Sequence, residues 1–517
     1  MSFPVDADAL EDELPLLAPS TLARADELCP RRLHEDYQCA PRTKEPFNSS
    51  RVRNAVIDGI RLLHERSGNL HEPGGAVTMS GVLEPEEQRV VEHALGWYPR
   101  LFDINERVTF ETPLEEVTPL PRRGVRLSGI IDVCVVGEGG ERELRQLAFA
   151  QRGAPIDPVD LPATQVAILR LAQVRWVEDE TLSVVWSDLL TGAQSRASVE
   201  IPAALAPMAE WLDERLQVLT SRMDATRADT GRDCTTCRYV PRCPAHALRG
   251  AMTTKKSDLV PGVISLSPTG LESWGRCRRE WRNRTLLRLP ASDPEGGTAH
   301  GLYLHQMLRF VHERGSCRDE SAVLEMLNAH DADDRVIEEV KRHVAKCPLG
   351  AEALGHEVEW VRANPTPPVF LASARLDAVW RHGDVLDVRD YKTGARAVEI
   401  VADDPRARLQ AWVAAPRAAE LGLRLRVRYE HLAREVDEDP EPWEPDDDDL
   451  AAIDEELRAI VAEMRAERDW PGVKDEVICR FCRYRSICPD SAVPGVPAWP
   501  AIVDEPSADG ISAEGET

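Results

Sequence analysis

Long apolar segments are missing from this chain of 517 residues. It contains no run of about eighteen apolar residues, and its first residues are acidic rather than basic and then apolar, so we expect neither a membrane span nor a signal peptide. The pattern G-x-x-x-x-G-K-[ST] is absent as well, which excludes a P-loop motor. We therefore expect a cytoplasmic protein, in which the twelve cysteines are thiols or metal ligands rather than disulfides.

Positive charge is also scarce, since the formal net charge is −26. At first sight this argues against a nucleic-acid partner. However, 23 of these 26 charges come from three segments that contain acids and no base, which are residues 1–14, 435–456 and 504–517. Such runs are typically solvated loops or tails. The rest of the chain is close to neutral, so a nucleic-acid partner is not excluded.

Lysine is the rarer of the two strong bases. Only seven of the 63 lysines and arginines are lysines. Arginine is thus the usual basic residue of this chain, and a lysine at the end of a strand suggests a specific role. Lys392 is the only one with an aspartate two residues before it. It lies in residues 371–394, which read as two strands joined by a tight turn that contains Gly383.

The second of these strands places Asp390 and Lys392 on one face, because side chains two residues apart point the same way. Asp377, on the neighbouring strand, can point to the same side. Two carboxylates beside one ammonium group indicate a site for Mg²⁺ or Mn²⁺, which would activate a water and neutralise a phosphate. The alternative is a surface ion pair at a strand end.

These residues resemble a known family. Arg375-Leu-Asp377 followed by Asp390-Tyr-Lys-Thr-Gly394 is similar to the active-site hairpin of PD-(D/E)XK nucleases, in the RecB/AddB-like branch, and the resemblance extends over residues 263–490. Ser267-Pro-Thr-Gly-Leu-Glu-Ser-Trp-Gly-Arg-Cys277 resembles the opening helix of that branch. Gly301-Leu-Tyr-Leu-His305 resembles its G-x-x-x-H helix. Gln410 stands where the family has a glutamine, but Trp412, Val413 and Ala414 follow it in place of the family's tyrosine.

The resemblance implies an α/β fold in which a small mixed sheet is flanked by helices. It also implies that His305, Asp377 and Asp390 bind the metal, that Lys392 assists the attacking water, and that Gln410 orients the water or a phosphate. Glu357 and Glu359 lie on a predicted strand before the hairpin, and either could join the metal. They share a face, so the sequence cannot choose between them, and we give Glu359 slightly more weight.

Six arginines and one glutamate lie between Arg276 and Arg288 on a predicted helix. They can be a solvated helix face or a track for phosphates. Beside a nuclease hairpin we favour the second interpretation. The predicted DNA-binding residues are Arg276, Arg278, Arg279 and Arg282.

The cysteines form two sets with the same internal spacing. The second set is Cys277, Cys479, Cys482 and Cys488, and the first is Cys29, Cys234, Cys237 and Cys243. Four thiolates can hold a 4Fe–4S cluster or Zn²⁺. A distant cysteine followed by a compact triplet resembles the iron–sulfur site of the RecB/AddB-like branch, so we favour two 4Fe–4S clusters over zinc. Cys39, Cys134, Cys317 and Cys347 are expected to be ordinary thiols, and His300 and His312 surface or packing residues.

The two halves of the chain repeat each other. Cys29 and Cys277 differ by 248 positions, whereas Gln165 and Gln410 differ by 245. The remaining cysteines keep the offset of 245, as do Asp132 and Asp377. We interpret this as a tandem duplication of PD-(D/E)XK domains. In the first copy Ile57, Phe149 and Gln151 stand opposite His305, Asp390 and Lys392, so only Asp132 of the metal ligands is retained and this copy is expected to be inactive.

The sequence thus predicts five segments. These are a disordered acidic N-terminus (1–17), a degenerate nuclease-like domain (18–248), a linker (249–262), an active nuclease domain (263–490) and a disordered acidic tail (491–517). We expect a Mg²⁺- or Mn²⁺-dependent DNA nuclease, for which the resemblance implies exonuclease action in DNA repair, recombination or defence. The alternatives are a non-catalytic nucleic-acid-binding or assembly subunit, and a nuclease subunit that works with a separate helicase.

Overall fold

The computed structural model of the protein describes most of the two halves. The described residues are 16–17, 19–34, 51–65, 83–104, 109–110, 118–120, 125–127, 133–136, 142–149, 157–173, 181–231, 234, 237, 239, 243–246, 263–291, 297–313, 317, 319–330, 332–347, 351–393, 400–433 and 439–493. The predicted linker, Cys39, Asp132 and Gln151 lie outside them. Of the helices within these residues, none is long and apolar enough to cross a membrane.

The first half is a mixed α/β structure. Its elements are β1 (Leu16–Leu17), α1 (Pro19–Ala23), α2 (Pro30–His34), α3 (Arg51–Glu65), α4 (Pro85–Leu101), β2 (Thr109–Phe110), β3 (Thr118–Leu120), β4 (Val125–Leu127), β5 (Val133–Val136), β6 (Arg142–Ala148), α5 (Pro162–Gln173), β7 (Thr181–Asp188), β8 (Gln194–Glu200) and α6 (Ile201–Arg222). Five of the strands form a mixed sheet in the order β2-β5-β6-β7-β8, and β1, β4 and β3 form a smaller one.

The second half has the same kind of architecture. Its elements are β9 (Ile264–Leu266), α7 (Pro268–Arg276), α8 (Arg278–Thr285), α9 (Gly297–Glu313), α10 (Glu320–Ala329), α11 (Asp334–Lys346), β10 (Glu352–Asn364), β11 (Phe370–His382), β12 (Val385–Lys392), α12 (Pro405–Leu421), β13 (Arg424–His431), α13 (Asp447–Ala466) and α14 (Glu476–Phe481). The sheet runs β10-β11-β12-β13, and β9 pairs with one end of β11.

The central connections of the two large sheets correspond. In each half an antiparallel pair (β5–β6, β11–β12) is followed by a helix (α5, α12) and then by a strand parallel to the second member of the pair (β7, β13). The short strand that opens each half also pairs in parallel, β1 with β4 and β9 with β11. The two halves therefore share an element order, although β8 extends only the first sheet.

The hairpin forms where the sequence predicts it. Gly383 takes a φ of +60° in the turn, a conformation that glycine adopts without steric cost. Strand β11 is buried over most of its length, because helices cover both faces of the sheet. One face packs on α12 and α13 in a core that includes Trp412 and Phe370, and the other contributes Trp380 to a cluster with α9, α10 and α11.

Two predictions about the acidic segments need correction. Leu16 and Leu17 form strand β1 by pairing with β4, and Leu17 is buried in an apolar cluster. Within residues 435–456, Asp446 caps α13, and three further aspartates occupy the first turn of that helix. Acidic side chains there compensate the positive end of the helix dipole, so this part of the acidic run starts a helix.

The two halves pack on each other. Leu289, Tyr484 and Ile487 of the second half join a buried cluster with Val90 and Val91 of α4. This contact lies beside the second cysteine set, since Cys482 packs against the same cluster.

Candidate functional site

The end of the β11–β12 hairpin brings the predicted catalytic residues together. Asp377 of β11 accepts a hydrogen bond from the backbone N–H of Tyr391 on β12, at 2.6 Å, so its carboxylate is fixed across the hairpin. Asp390 is held from two sides. Lys392 Nζ lies 2.8 Å from Asp390 Oδ1, and Gln410 Nε2 of α12 donates to Asp390 Oδ2 at 2.8 Å.

Helix α9 supplies the histidine. A side chain at Gly301 would bring its Cβ within 3.0 Å of Thr393 Oγ1, so the glycine allows α9 to approach the end of β12. One turn later, His305 Nδ1 lies 3.4 Å from Asp377 Oδ1 and 3.2 Å from Glu357 Oε1. His305, Asp377 and Glu357 each offer a ligand atom, and these atoms all lie within 4.8 Å of one another.

The preference for Glu359 over Glu357 as a further metal ligand needs correction, because Glu357 is the glutamate that contacts His305. The register of β10 against β11 decides this. Glu359 pairs with Arg375, whereas Glu357 falls between the pairs on either side of Asp377 and so lies opposite it. Arg375 Nε also donates to Glu357 Oε2 at 2.5 Å. Sequence spacing alone puts both glutamates on one face and cannot give the register.

The electrostatics of this cluster favour a bound cation. Burial and the nearby charge of Asp390 raise the pKa of Asp377 to about 6. Burial alone would lower the pKa of His305, but hydrogen bonds to Asp377 and Glu357 outweigh it and raise that pKa to about 10. A proton on Nδ1 thus stands between the carboxylates, and a divalent cation held by the same atoms would take its place. The donor set of carboxylate oxygens and one imidazole therefore fits Mg²⁺ or Mn²⁺.

The arginines of the predicted phosphate track have acidic partners within the protein. Each of its four arginines forms an ion pair with an acidic side chain. The partners are Glu280 for Arg276, Glu467 for Arg278, Glu86 for Arg279 and Glu84 for Arg282, with N–O distances of 2.5, 2.5, 2.7 and 2.9 Å. Since Glu84 and Glu86 precede or begin α4, two of these pairs connect α8 to the first half.

We expect Arg279→Ala to lower the free energy of unfolding by about 3 kcal/mol, because it leaves the fully buried Glu86 without its closest cation. Urea denaturation measures the loss. The matched control is Arg284→Ala on the same helix, since Arg284 is exposed and donates to Thr269 Oγ1. That variant should stay within about 0.5 kcal/mol of the wild type. If Arg279→Ala is as stable as the wild type but binds DNA more weakly, the result would support the prediction that Arg279 contacts phosphates.

Each cysteine set lines one cavity. Cys29, Cys234, Cys237 and Cys243 surround the first cavity. Cys277, Cys479, Cys482 and Cys488 surround the second. Burial is the main reason why the pKa of Cys234 rises to about 11 and that of Cys482 to about 12. Burial therefore disfavours the charged thiolates, and metal binding to them would offset this cost.

Two of the remaining cysteines lie close to histidines. Cys317 and Cys347 meet His312 and His343, and the four ligand atoms lie within 4.8 Å of one another. This cluster could hold a metal ion. We expected Cys317 and Cys347 to be ordinary thiols and His312 to be a surface or packing residue. This needs correction, because the end of α9 lies against the end of α11 and brings these four side chains together.

Comparison with known proteins assigns part of the chain. The model of the PD-(D/E)XK nuclease superfamily matches residues 265–489, which therefore form a domain of that superfamily. The match covers the second half and does not extend into the first. The chain matches none of the curated proteins. The crystal structure of SSO0001 is similar at 16% identity over 45% of this chain and 89% of that chain, and its TM-score of 0.23 is too low to support an argument.

Proposed function

We propose that the second half is a Mg²⁺- or Mn²⁺-dependent nuclease that cleaves phosphodiester bonds of DNA. The observation that carries this proposal is the convergence of Asp377, Asp390 and Lys392 at one end of the hairpin, with His305 and Gln410 against them. Membership of the superfamily supports nuclease activity in general. The proposal that the nuclease depends on Mg²⁺ or Mn²⁺ and acts on DNA rests on the chemistry of these five side chains.

Each side chain has a role that its contacts allow. His305, Asp377 and Asp390 hold the divalent cation, which when bound supplies an activated water and neutralises a phosphate oxygen. Lys392, which contacts Asp390, would direct its ammonium group at the developing negative charge. Gln410 fixes the Asp390 carboxylate through its amide N–H. Glu357 takes the place that we gave to Glu359, as a further ligand or as the group that orients His305.

Cleavage of end-labelled substrates tests the proposal. Purified protein is incubated with single-stranded DNA, double-stranded DNA and RNA, in Mg²⁺, in Mn²⁺ and in chelator. We expect cleavage of DNA that needs the metal and stops with chelator. Products that shorten stepwise from an end would support exonuclease action, and internal fragments would support endonuclease action. Binding of DNA without cleavage under every condition would favour the non-catalytic alternative.

The two cysteine sets are proposed to hold one 4Fe–4S cluster each. Among the residues that the structure describes, two groups of ligand atoms lie within 4.8 Å of one another, and neither cysteine set is one of them. Zinc held by four thiolates would put the sulfurs only about 3.8 Å apart. The proposal is supported by the four thiols that line each cavity, a number that a 4Fe–4S cluster requires.

The first half is proposed to be a degenerate second copy of the nuclease domain. The nearly constant offset between matching residues and the shared order of strands and helices support this origin. Apolar Ile57 and Phe149 occupy the positions that correspond to His305 and Asp390, and neither can bind a cation. The proposed role of the first half is that of an inactive scaffold or of a domain that holds DNA for the active half.

Asp132→Ala is therefore expected to leave DNA cleavage within about twofold of the wild type, because one carboxylate does not hold Mg²⁺. Initial cleavage rates measure the effect, beside Asp377→Ala as the matched carboxylate of the second half. A loss as large as that of Asp377→Ala would show that the first half takes part in the chemistry.

A further inference from the structure

A second group of metal-binding side chains lies behind the hairpin. His312 is in the last turn of α9, and Cys317 follows in the connection to α10. His343 is in the last turn of α11, and Cys347 directly follows that helix. We refer to these four residues as the His₂Cys₂ cluster. None of them belongs to the two cysteine sets.

The four ligand atoms of the His₂Cys₂ cluster lie within 4.8 Å of one another, and two of the distances between them can be compared with those of a tetrahedral zinc site. Nε2 of His312 lies 2.9 Å from Nε2 of His343, and Sγ of Cys317 lies 3.5 Å from the same His343 nitrogen. Zinc bonds of roughly 2.0–2.1 Å to nitrogen and 2.3 Å to sulfur predict a nitrogen–sulfur edge of about 3.5 Å and a nitrogen–nitrogen edge of about 3.4 Å. Small movements of the two rings would therefore complete the site.

A carboxylate orients one of the histidines. His343 is fully buried, and its Nδ1 lies 2.6 Å from Glu430 Oε1 on β13. Arg389 Nη1 donates to the other carboxylate oxygen of Glu430 at 3.1 Å. Since a carboxylate accepts, Nδ1 of His343 donates and Nε2 is directed at the thiols. Histidines that bind zinc are oriented by this arrangement.

Two imidazoles and two thiols whose ligand atoms lie within 4.8 Å of one another suit zinc better than Mg²⁺ or Mn²⁺, which prefer oxygen ligands. Four protein ligands leave no open position, which is typical of a structural site rather than a catalytic one. The surroundings agree, because Leu308, Val311 and Val340 belong to the same buried cluster as Cys317. An apolar environment of this kind disfavours a group of polar atoms without a cation to bind them.

We propose that the His₂Cys₂ cluster is a structural zinc site that fastens α9 to α11. The consequence for the hairpin is positional. His305 and His312 are seven residues apart on α9, so they lie on one face of the helix. The ring of Tyr391 lies between the two sites. Its centroid is 6.0 Å from that of the His305 ring and 5.1 Å from that of the His343 ring. Zinc binding would thus hold the helix that carries His305 in place.

Metal analysis of the full-length protein tests the proposal without reference to cleavage. We expect about one zinc per chain in wild-type protein. Cys347→Ser should reduce this to below about 0.1 and lower the melting temperature by about 10 °C, as expected when a structural metal is lost. Lys341→Ala is the control on the same helix, because it changes a surface side chain paired with Glu338 and should leave the zinc content unchanged.

A measurement on folded wild-type protein covers the case in which Cys347→Ser does not fold. After chelation, added Co²⁺ should produce the visible absorption of a tetrahedral thiolate site, and one equivalent of Zn²⁺ should remove it. Wild-type protein without zinc that also gives no such absorption would overturn the proposal. So would a disulfide between Cys317 and Cys347 in protein purified under reducing conditions, or zinc that is lost in Cys482→Ala and kept in Cys347→Ser.

Discussion

Asp390→Ala is expected to reduce metal-dependent DNA cleavage by roughly three orders of magnitude or more while the protein remains folded. The loss follows from the position of the carboxylate. Asp390 is close enough to Asp377 for its charge to affect that carboxyl, and it accepts from Lys392 and Gln410, so its removal would take away a proposed metal ligand and free both partners. Loss of several kcal/mol of transition-state stabilisation corresponds to this change in rate.

The fold should survive this substitution because it opens no apolar cavity and removes the charge that, after burial, is the second cause of the raised pKa of Asp377. Thermal unfolding checks that the melting temperature stays within a few degrees of the wild type. Asp384→Ala is the matched control, since Asp384 is an exposed carboxylate in the turn of the same hairpin. It should cleave at the wild-type rate. Full activity of folded Asp390→Ala would refute the assignment of the active site.

The second large effect concerns the cysteine sets. Anaerobically purified protein is expected to carry about eight irons, four in each proposed cluster, and to show the visible charge-transfer absorption of iron bound by thiolates. Cys482→Ala should reduce the iron to about four and destabilise the second half, because the cluster joins α8 to the end of the domain across a very long loop. Cleavage should decrease indirectly.

Cys237→Ala is the matched variant of the first set and should also leave about four irons. From the sequence alone its effect would be confined to the first half. The structure changes this expectation, because Cys234 packs against Val369 and Leu371 of the second half, and Cys237 lies against the same small cluster. We therefore expect loss of the first cluster to loosen the contact between the halves as well. Protein with stoichiometric zinc in these sets and no iron would contradict the cluster assignment.

The hairpin could be predicted from the sequence because its signals are local. A glycine turn between two strands and the two-residue spacing of Asp390 and Lys392 fix which side chains share a face. Helix α9 could be anticipated only through the family resemblance, since His305 lies far from the hairpin in sequence. Its contact with Asp377 depends on how the helix packs on the sheet.

Three features required the folded structure. The choice of Glu357 depends on strand register, which sequence periodicity does not give. The His₂Cys₂ cluster joins residues of α9 and α11 whose spacing follows no familiar zinc pattern. The arginines of α8 meet their acidic partners on other elements, and the partners of Arg279 and Arg282 lie almost two hundred positions away. Composition alone makes such a helix look available to DNA.

The most direct test of the central claim is the rate at which end-labelled single-stranded DNA is cleaved in Mg²⁺ by wild-type protein and by Lys392→Ala. Lys341→Ala serves as the control, because Lys341 is a surface lysine paired with Glu338. We predict equal rates for the wild type and Lys341→Ala, and a loss of at least about a hundredfold for Lys392→Ala, which lacks the ammonium group beside the reacting phosphate. Cleavage by folded Lys392→Ala at the wild-type rate would contradict the account.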